Sequence, residues 1–334
     1  MPKIYIDNIE DPRLEAYRNL RTRNLTQFSA KFVVESKLLT QRLLISDYEV
    51  ESILIDDIAL PDAGDWISEE VTIYVIPRTS MSELLGFHFH RGVLGCGKRK
   101  RRLQATEVLS SPEPMALATG YDSTPVGPIA PEASVDGSGL AQAMLGLTNT
   151  EPMALATGFD STPVGPPPFE PLENSHWTGV YVVGVQDPEN MGQIARNCSA
   201  LGVRDLIIGP ECVDPFARRV LRVSMGCMFN LRISYSNDPI SFLSWATSVG
   251  IRSLATSLSS DSKPLEQYRR TNATLVVMGN EANGLAECVQ NAATDRVKID
   301  MLLGTDSLNV SVAAGIIVHY VTRLANTQSQ ANRQ

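Results

Sequence analysis

GVYVVGVQDPENMGQIARNCSALGVRDLIIG, residues 179–209, is the stretch that decides the fold. GVYVVGV (179–185) is a short, unbroken apolar run and reads as a strand. Asp187-Pro188-Glu189 closes that strand and opens a helix over 190–201, and DLIIG (205–209) reads as a second strand. A strand, a crossover helix and another strand within about 30 residues form a βαβ unit, whose strands lie parallel in one sheet.

The alternation continues downstream. Helix-like patterns at 215–228, 239–248, 284–292 and 307–324 are interleaved with strand-like runs at 231–236, 251–258, 273–279 and 295–299. This is an α/β fold, a mainly parallel sheet with helices on both faces, occupying residues 174–328. Ligands of such sheets sit beyond the carboxyl ends of the strands, so the loops after Val185, Gly279 and Ile299 are where chemistry is expected. Upstream, apolar runs at Lys31–Val34, Ser52–Asp56 and Val71–Ile76 alternate with helix-like stretches at Ser36–Ile45 and Met81–Phe87. They predict a small α/β module over residues 1–102.

Residues 103–173 differ in kind. They hold 11 of the 20 prolines, nine acidic residues and no Lys or Arg. EPMALATGYDSTPVGP (113–128) recurs as EPMALATGFDSTPVGP (151–166), differing only at Tyr121 and Phe159. A proline-rich acidic stretch buries too little apolar surface to offset its ordering entropy, so this segment is expected to be a disordered linker. It also accounts for the acidity of the chain. The net charge of -8 becomes +1 once the segment is set aside, which leaves folded parts able to carry basic patches for nucleic acid.

Hydrophobic residues make up 43% of the 334 and charged residues 20%, the balance of a globular protein with a sizeable core. The N-terminus MPKIYIDNIEDPRLEAY lacks the features of a secretory signal. The most apolar helix candidate, Leu308–Val321, is shorter than the ~20 residues of a membrane span. Five scattered cysteines without CxxC argue against a disulfide framework and predict a cytoplasmic protein.

Three strings occupy the three expected loops. Asn190-Met-Gly-Gln-Ile-Ala-Arg196-Asn197 opens a helix, whose free N–H groups suit an anion, and Arg196 can reach back over that opening to a phosphate. Gly279-Asn-Glu281-Ala-Asn-Gly284-Leu285 is a glycine turn in which Gly279 lets a ligand approach the backbone and Glu281 can anchor the turn or a ligand hydroxyl. Ile299-Asp-Met-Leu-Leu-Gly304-Thr-Asp-Ser307-Leu308-Asn309 leads into a long apolar helix, with Ser307 and Asn309 in its capping region. Each string alone has a structural explanation as a cap or a turn.

Together and in this order, they resemble the three signature motifs of the SpoU (TrmH) RNA methyltransferases of the SPOUT superfamily, over residues 178–326. Arg219–Gly226 also looks like that family's intermediate segment. The resemblance implies an S-adenosylmethionine-dependent transfer to a ribose 2'-hydroxyl of tRNA or rRNA, in a domain tied as a trefoil knot and paired as a homodimer, with no metal, membrane or DNA. It implies that Asn190 and Arg196 act at the ribose and phosphate, that Glu281, Ser307 and Asn309 complete the polar network, and that Gly279, Ile299 and Leu308 contact the methyl donor. The first module resembles the family's ribosomal-protein-like substrate-binding domain through FVVESKLLTQRLL (32–44) and HRGVLG (90–95), with Ser36 where a glycine is usual. The acidic insertion is foreign to the pattern.

Three further features are weighed against this. Gly92–Arg99 has nearly the spacing of a phosphate loop but carries Arg99 where a magnesium-binding hydroxyl is needed. KRKRR (98–102) reads as an RNA-facing or a solvated run, and His88, His90 and Cys96 lack a fourth partner for a tetrahedral metal site. The alternative function is a catalytically inactive RNA-binding paralogue of the same fold.

Overall fold

In the computed structural model, the described residues are 3–20, 30–63, 66–67, 70–110, 177–259, 261–270 and 273–325. The first module is built on β1 (Lys3–Tyr5), β2 (Lys31–Glu35), β3 (Val50–Asp56), β4 (Ile73–Ile76) and β5 (Val93–Lys98), in the order β1-β4-β3-β5-β2. The β1, β4 and β3 strands run parallel, while β5 is antiparallel to both β3 and β2, so the sheet is mixed. Helices α1 (Lys37–Leu44) and α2 (Arg78–Leu85) cover it. The short β1 and the 3₁₀ turn Pro12–Tyr17, which buries Leu14 and Tyr17, were not anticipated from the sequence. Gly92–Arg99 lies mostly along β5, so its glycines do not shape a phosphate loop, and Cys96 is fully buried there.

The second module holds seven strands in the order β10-β12-β9-β11-β6-β7-β8, all parallel. They are β6 (Thr178–Val182), β7 (Asp205–Ile208), β8 (Arg232–Tyr235), β9 (Arg252–Thr256), β10 (Lys263–Pro264), β11 (Thr274–Met278) and β12 (Asp295–Lys298). Successive residues point to opposite faces, and two cores result. Val180, Val182, Leu206, Ile208, Leu254, Val276 and Met278 join one cluster with α4 (Pro188–Ala200), α5 (Arg218–Val223) and α8 (Val310–His319). Tyr181, Ile207, Ala255, Leu275 and Val277 join the other with α6 (Pro239–Ser248) and α7 (Glu287–Ala292).

Two expected helices are shorter than their apolar patterns. The 215–228 pattern forms α5 and then breaks, because Met225 (φ 53°) and Gly226 (φ 78°) are both left-handed, before a 3₁₀ turn at Cys227–Asn230. The 307–324 pattern starts late, at Val310, and ends in a π-helical turn at Tyr320–Leu324.

The linker boundary also moves. Residues 103–110, assigned to the linker on composition, include α3 (Ala105–Ser110), whose Ala105 and Leu109 are buried among Tyr181, Phe242 and Leu243. Gln104 bridges Tyr235 at the edge of the second sheet. The rest of the expected linker, and both copies of its repeat, fall outside the described residues. No helix among the described residues is long and apolar enough to cross a membrane. All five cysteines are free thiols, and burial pushes those of Cys96 and Cys198 up to about 12.

The two modules share one apolar core. Phe32 of β2 and Tyr48 pack edge and face against Phe216 and Phe229, with ring centroids 5.2–5.7 Å apart. Leu39 and Leu43 of α1 belong to the same cluster as Val220 and Leu221 of α5. Arg99 is held by Asp214 while stacked on Phe216, and Arg42 donates to the Met225 carbonyl.

Candidate active site

The site grows from the carboxyl ends of β6, β11 and β12. Gly184, just past β6, has a positive φ, and its carbonyl accepts from Asn280 Nδ2 at 2.7 Å, which stitches the first loop to the second. Asn280 also shapes its own loop. Its Oδ1 accepts from the N–H groups of Ala282 and Asn283, while its backbone exchanges hydrogen bonds of 3.0 and 2.9 Å with Gly284. This turn delays α7 to Glu287.

Glu281 then faces the start of α4. Its Oε1 accepts from Asn190 Nδ2 at 3.0 Å and from the backbone N–H of Asp187 at 3.3 Å. Asn190 is 4% exposed, and its remaining oxygen accepts from Asn309 Nδ2 at 2.8 Å. Asn309 in turn caps α8, accepting from the Ser311 N–H at 2.8 Å. A carboxylate only accepts, so it turns the Asn190 amide nitrogen towards itself, and each later amide in the chain is thereby oriented. The Ser311 hydroxyl lies against both Asn309 Oδ1 and Gln193 Oε1 and has one proton to donate.

Asn190, Glu281 and Asn309 are therefore brought into one hydrogen-bonded chain. Arg196 lies about one and a half turns further along α4, exposed, with no ion pair among the described residues. Ser307 is exposed in the loop before the cap, so Asn309 alone caps α8. Gly279 follows β11 directly, Ile299 is half-buried against the core, and Leu308 is half-buried beside Ser307. Close packing holds α4 against α5, since a Cβ at Gly192 would meet Val223 Cβ at 2.8 Å. Next to the second loop, burial and then the Glu281 charge raise the Cys212 pKa, so that its thiol stays protonated and donates to the Val182 carbonyl.

Sequence reasoning missed Asn280, Gln193 and Ser311. Asn280 stands inside a quoted motif and is an Asx-turn former, so a signal was present. The basic run is largely used within the protein. Lys98 pairs with Glu49, Arg99 with Asp214 and Lys100 with Asp47, and Arg102 covers the Tyr235 ring.

Residues 178–319 match the family model of the SpoU rRNA methylases. The second module belongs to the SpoU family. An uncharacterised tRNA/rRNA methyltransferase of Mycobacterium bovis is 26% identical over 322 residues, covering 94% of this chain and 90% of that protein. The 23S rRNA (guanosine(2553)-2'-O)-methyltransferase RlmP of Bacillus subtilis is 26% identical over 137 residues, 41% of this chain and 54% of its own. Among solved structures, the AdoMet-bound rRNA methyltransferase of Sinorhizobium meliloti superimposes with a TM-score of 0.66 at 19% identity, covering 96% of this chain and 98% of that one. That similarity extends to both modules of the fold.

Proposed function

We propose that this SpoU-family chain transfers a methyl group from S-adenosylmethionine to a ribose 2'-hydroxyl of tRNA or rRNA. The observation that carries the reading is the continuous chain Glu281–Asn190–Asn309, which joins one residue from each of the three motifs across three strand ends. The names of the relatives support RNA methylation, and RlmP supports the ribose oxygen as acceptor.

The residues present suit the donor. Gly279 offers backbone groups at the end of β11, where the Gly284 backbone leaves no room for a Cβ, and Ile299 and Leu308 offer half-buried apolar surface in the loop after β12. These three would hold S-adenosylmethionine, which when bound supplies an electrophilic methyl group. The remaining work is positioning the acceptor oxygen and removing its proton. Arg196 faces solvent, and its planar guanidinium suits a phosphate and a developing alkoxide, whereas it is a poor proton acceptor. The proton leaves through phosphate, Ser307 or water. Asn190, Glu281 and Asn309 keep the start of α4 aligned with the other two loops, and so aim Arg196.

The reading includes the knotted path of the family and a homodimer. Val312 and Ile316, one turn apart and exposed on α8, support a second copy there, which sedimentation of the purified chain tests. For the chemistry, Arg196→Lys keeps a positive charge but loses the fork. It is expected to retain RNA binding and lose most turnover in a tritiated-methyl assay, and near-normal turnover counts against the role given to Arg196. Calorimetry with S-adenosylmethionine separates an enzyme from an inactive RNA-binding paralogue.

A further inference from the structure

Lys98, Arg99 and Lys100 of KRKRR each face a carboxylate, so cations without one elsewhere on the surface are further candidates for RNA. The loop 86–92, between α2 and β5, lies at the corner where β2 ends, since Ser36 N–H donates to the Val93 carbonyl. Arg218, at the start of α5, reaches this corner from the second module. It pairs with Glu35 at 2.9 Å and lies 4.5 Å over the Phe87 ring. The next residue, Arg219, pairs with Glu189, the neighbour of Asn190. The helix α5 therefore bridges the corner of the first module and the candidate active site.

Along this path the carboxylates are matched and cations are left over. Arg91 and Arg222 are exposed and have no carboxylate partner among the described residues. Arg222 stands one turn from Arg218, close enough for the two charges to repel, and Arg218 Nη1 has no acceptor among the described residues. The His88 and His90 rings next to Arg91 are exposed, with centroids 4.2 Å apart and planes tilted by 55°, so they present aromatic surface against which a base can lie.

We propose that the strip from His88, His90 and Arg91 across Arg222 is where substrate RNA docks, its phosphates on the two arginines and an unpaired base against the histidines. The strip rests on the methyltransferase reading and deepens it, because it leads RNA from the first module to the start of α4.

The test compares R91A/R222A with the wild type and with K263A/R296A, a control at the far edge of the second sheet. Fluorescence anisotropy over a salt series uses bulk transfer RNA and fragmented ribosomal RNA as probes, and calorimetry with S-adenosylmethionine runs in parallel. R91A/R222A is expected to bind RNA roughly ten-fold more weakly, and the slope of log affinity against log salt should fall by about 1.4 to 1.8, the share of two phosphates. Donor binding should be unchanged, as should RNA binding by the control. Wild-type affinity in R91A/R222A, or an equal loss in the control, overturns the strip. Failure of the wild type to bind the donor counts instead against the methyltransferase reading.

Discussion

A methyl group added to Gly279 would lie 2.3 Å from the Gly284 carbonyl carbon and 2.4 Å from the Leu285 nitrogen. Both obstacles are backbone, so neither can swing aside, and the second loop must open. Gly279→Ala is therefore expected to abolish donor binding in calorimetry and to cost about 2 kcal/mol or more of stability in urea titration. Unchanged binding would show that the 280–284 turn is dispensable. At this scale much of the site was legible, because Asn190, Glu281 and Asn309 stood in strings whose order and strand-end placement marked them. What was not legible was which atom meets which. Asn309 and Asn190 are 119 residues apart, and no local pattern reports that their amides touch.

Among the elements, α1 begins under strain. Its N-cap Ser36 has φ 99° and ψ 153°, a region costly for any residue with a Cβ, and its hydroxyl accepts from the Leu39 N–H only at a long 3.4 Å. Backbone strain of about 1–3 kcal/mol outweighs the few tenths lost when glycine replaces a capping serine. Ser36→Gly should thus raise stability by roughly 1 kcal/mol, read as a higher melting temperature, and a lower one would mean that the cap bond dominates. The breaks in the apolar patterns have a related origin. Residues 215–228 keep helical periodicity through the left-handed pair at Met225 and Gly226, since Met228 and Phe229 are buried for another purpose, in the core shared with Phe32. Periodicity reports burial, and burial here outlasts the helix. In the same way, α3 hid in an acidic proline-rich composition although its own residues Ala105, Val108 and Leu109 are apolar and buried.

For the molecule as a whole, the sequence reading divided the chain into two modules and left their relative placement open. The shared core supplies it. Phe32 belongs to β2, yet its ring is enclosed by Phe216 and Phe229 of the second module. Phe32→Ala should cost about 3–5 kcal/mol and lower the melting of both modules together, as one calorimetric peak. Two separated peaks would show that the modules unfold independently.

The docking of α3 has one more consequence. Ser110 ends a helix packed on the second module, and Trp177, whose indole donates to Asp205 at 2.6 Å, starts that module's first strand. Both ends of the intervening chain are thus moored to the same body, and its contour length has no leverage over how the modules meet. A stretch so placed can lengthen by copying itself, as EPMALATG has, without any register or crossing angle elsewhere having to be renegotiated.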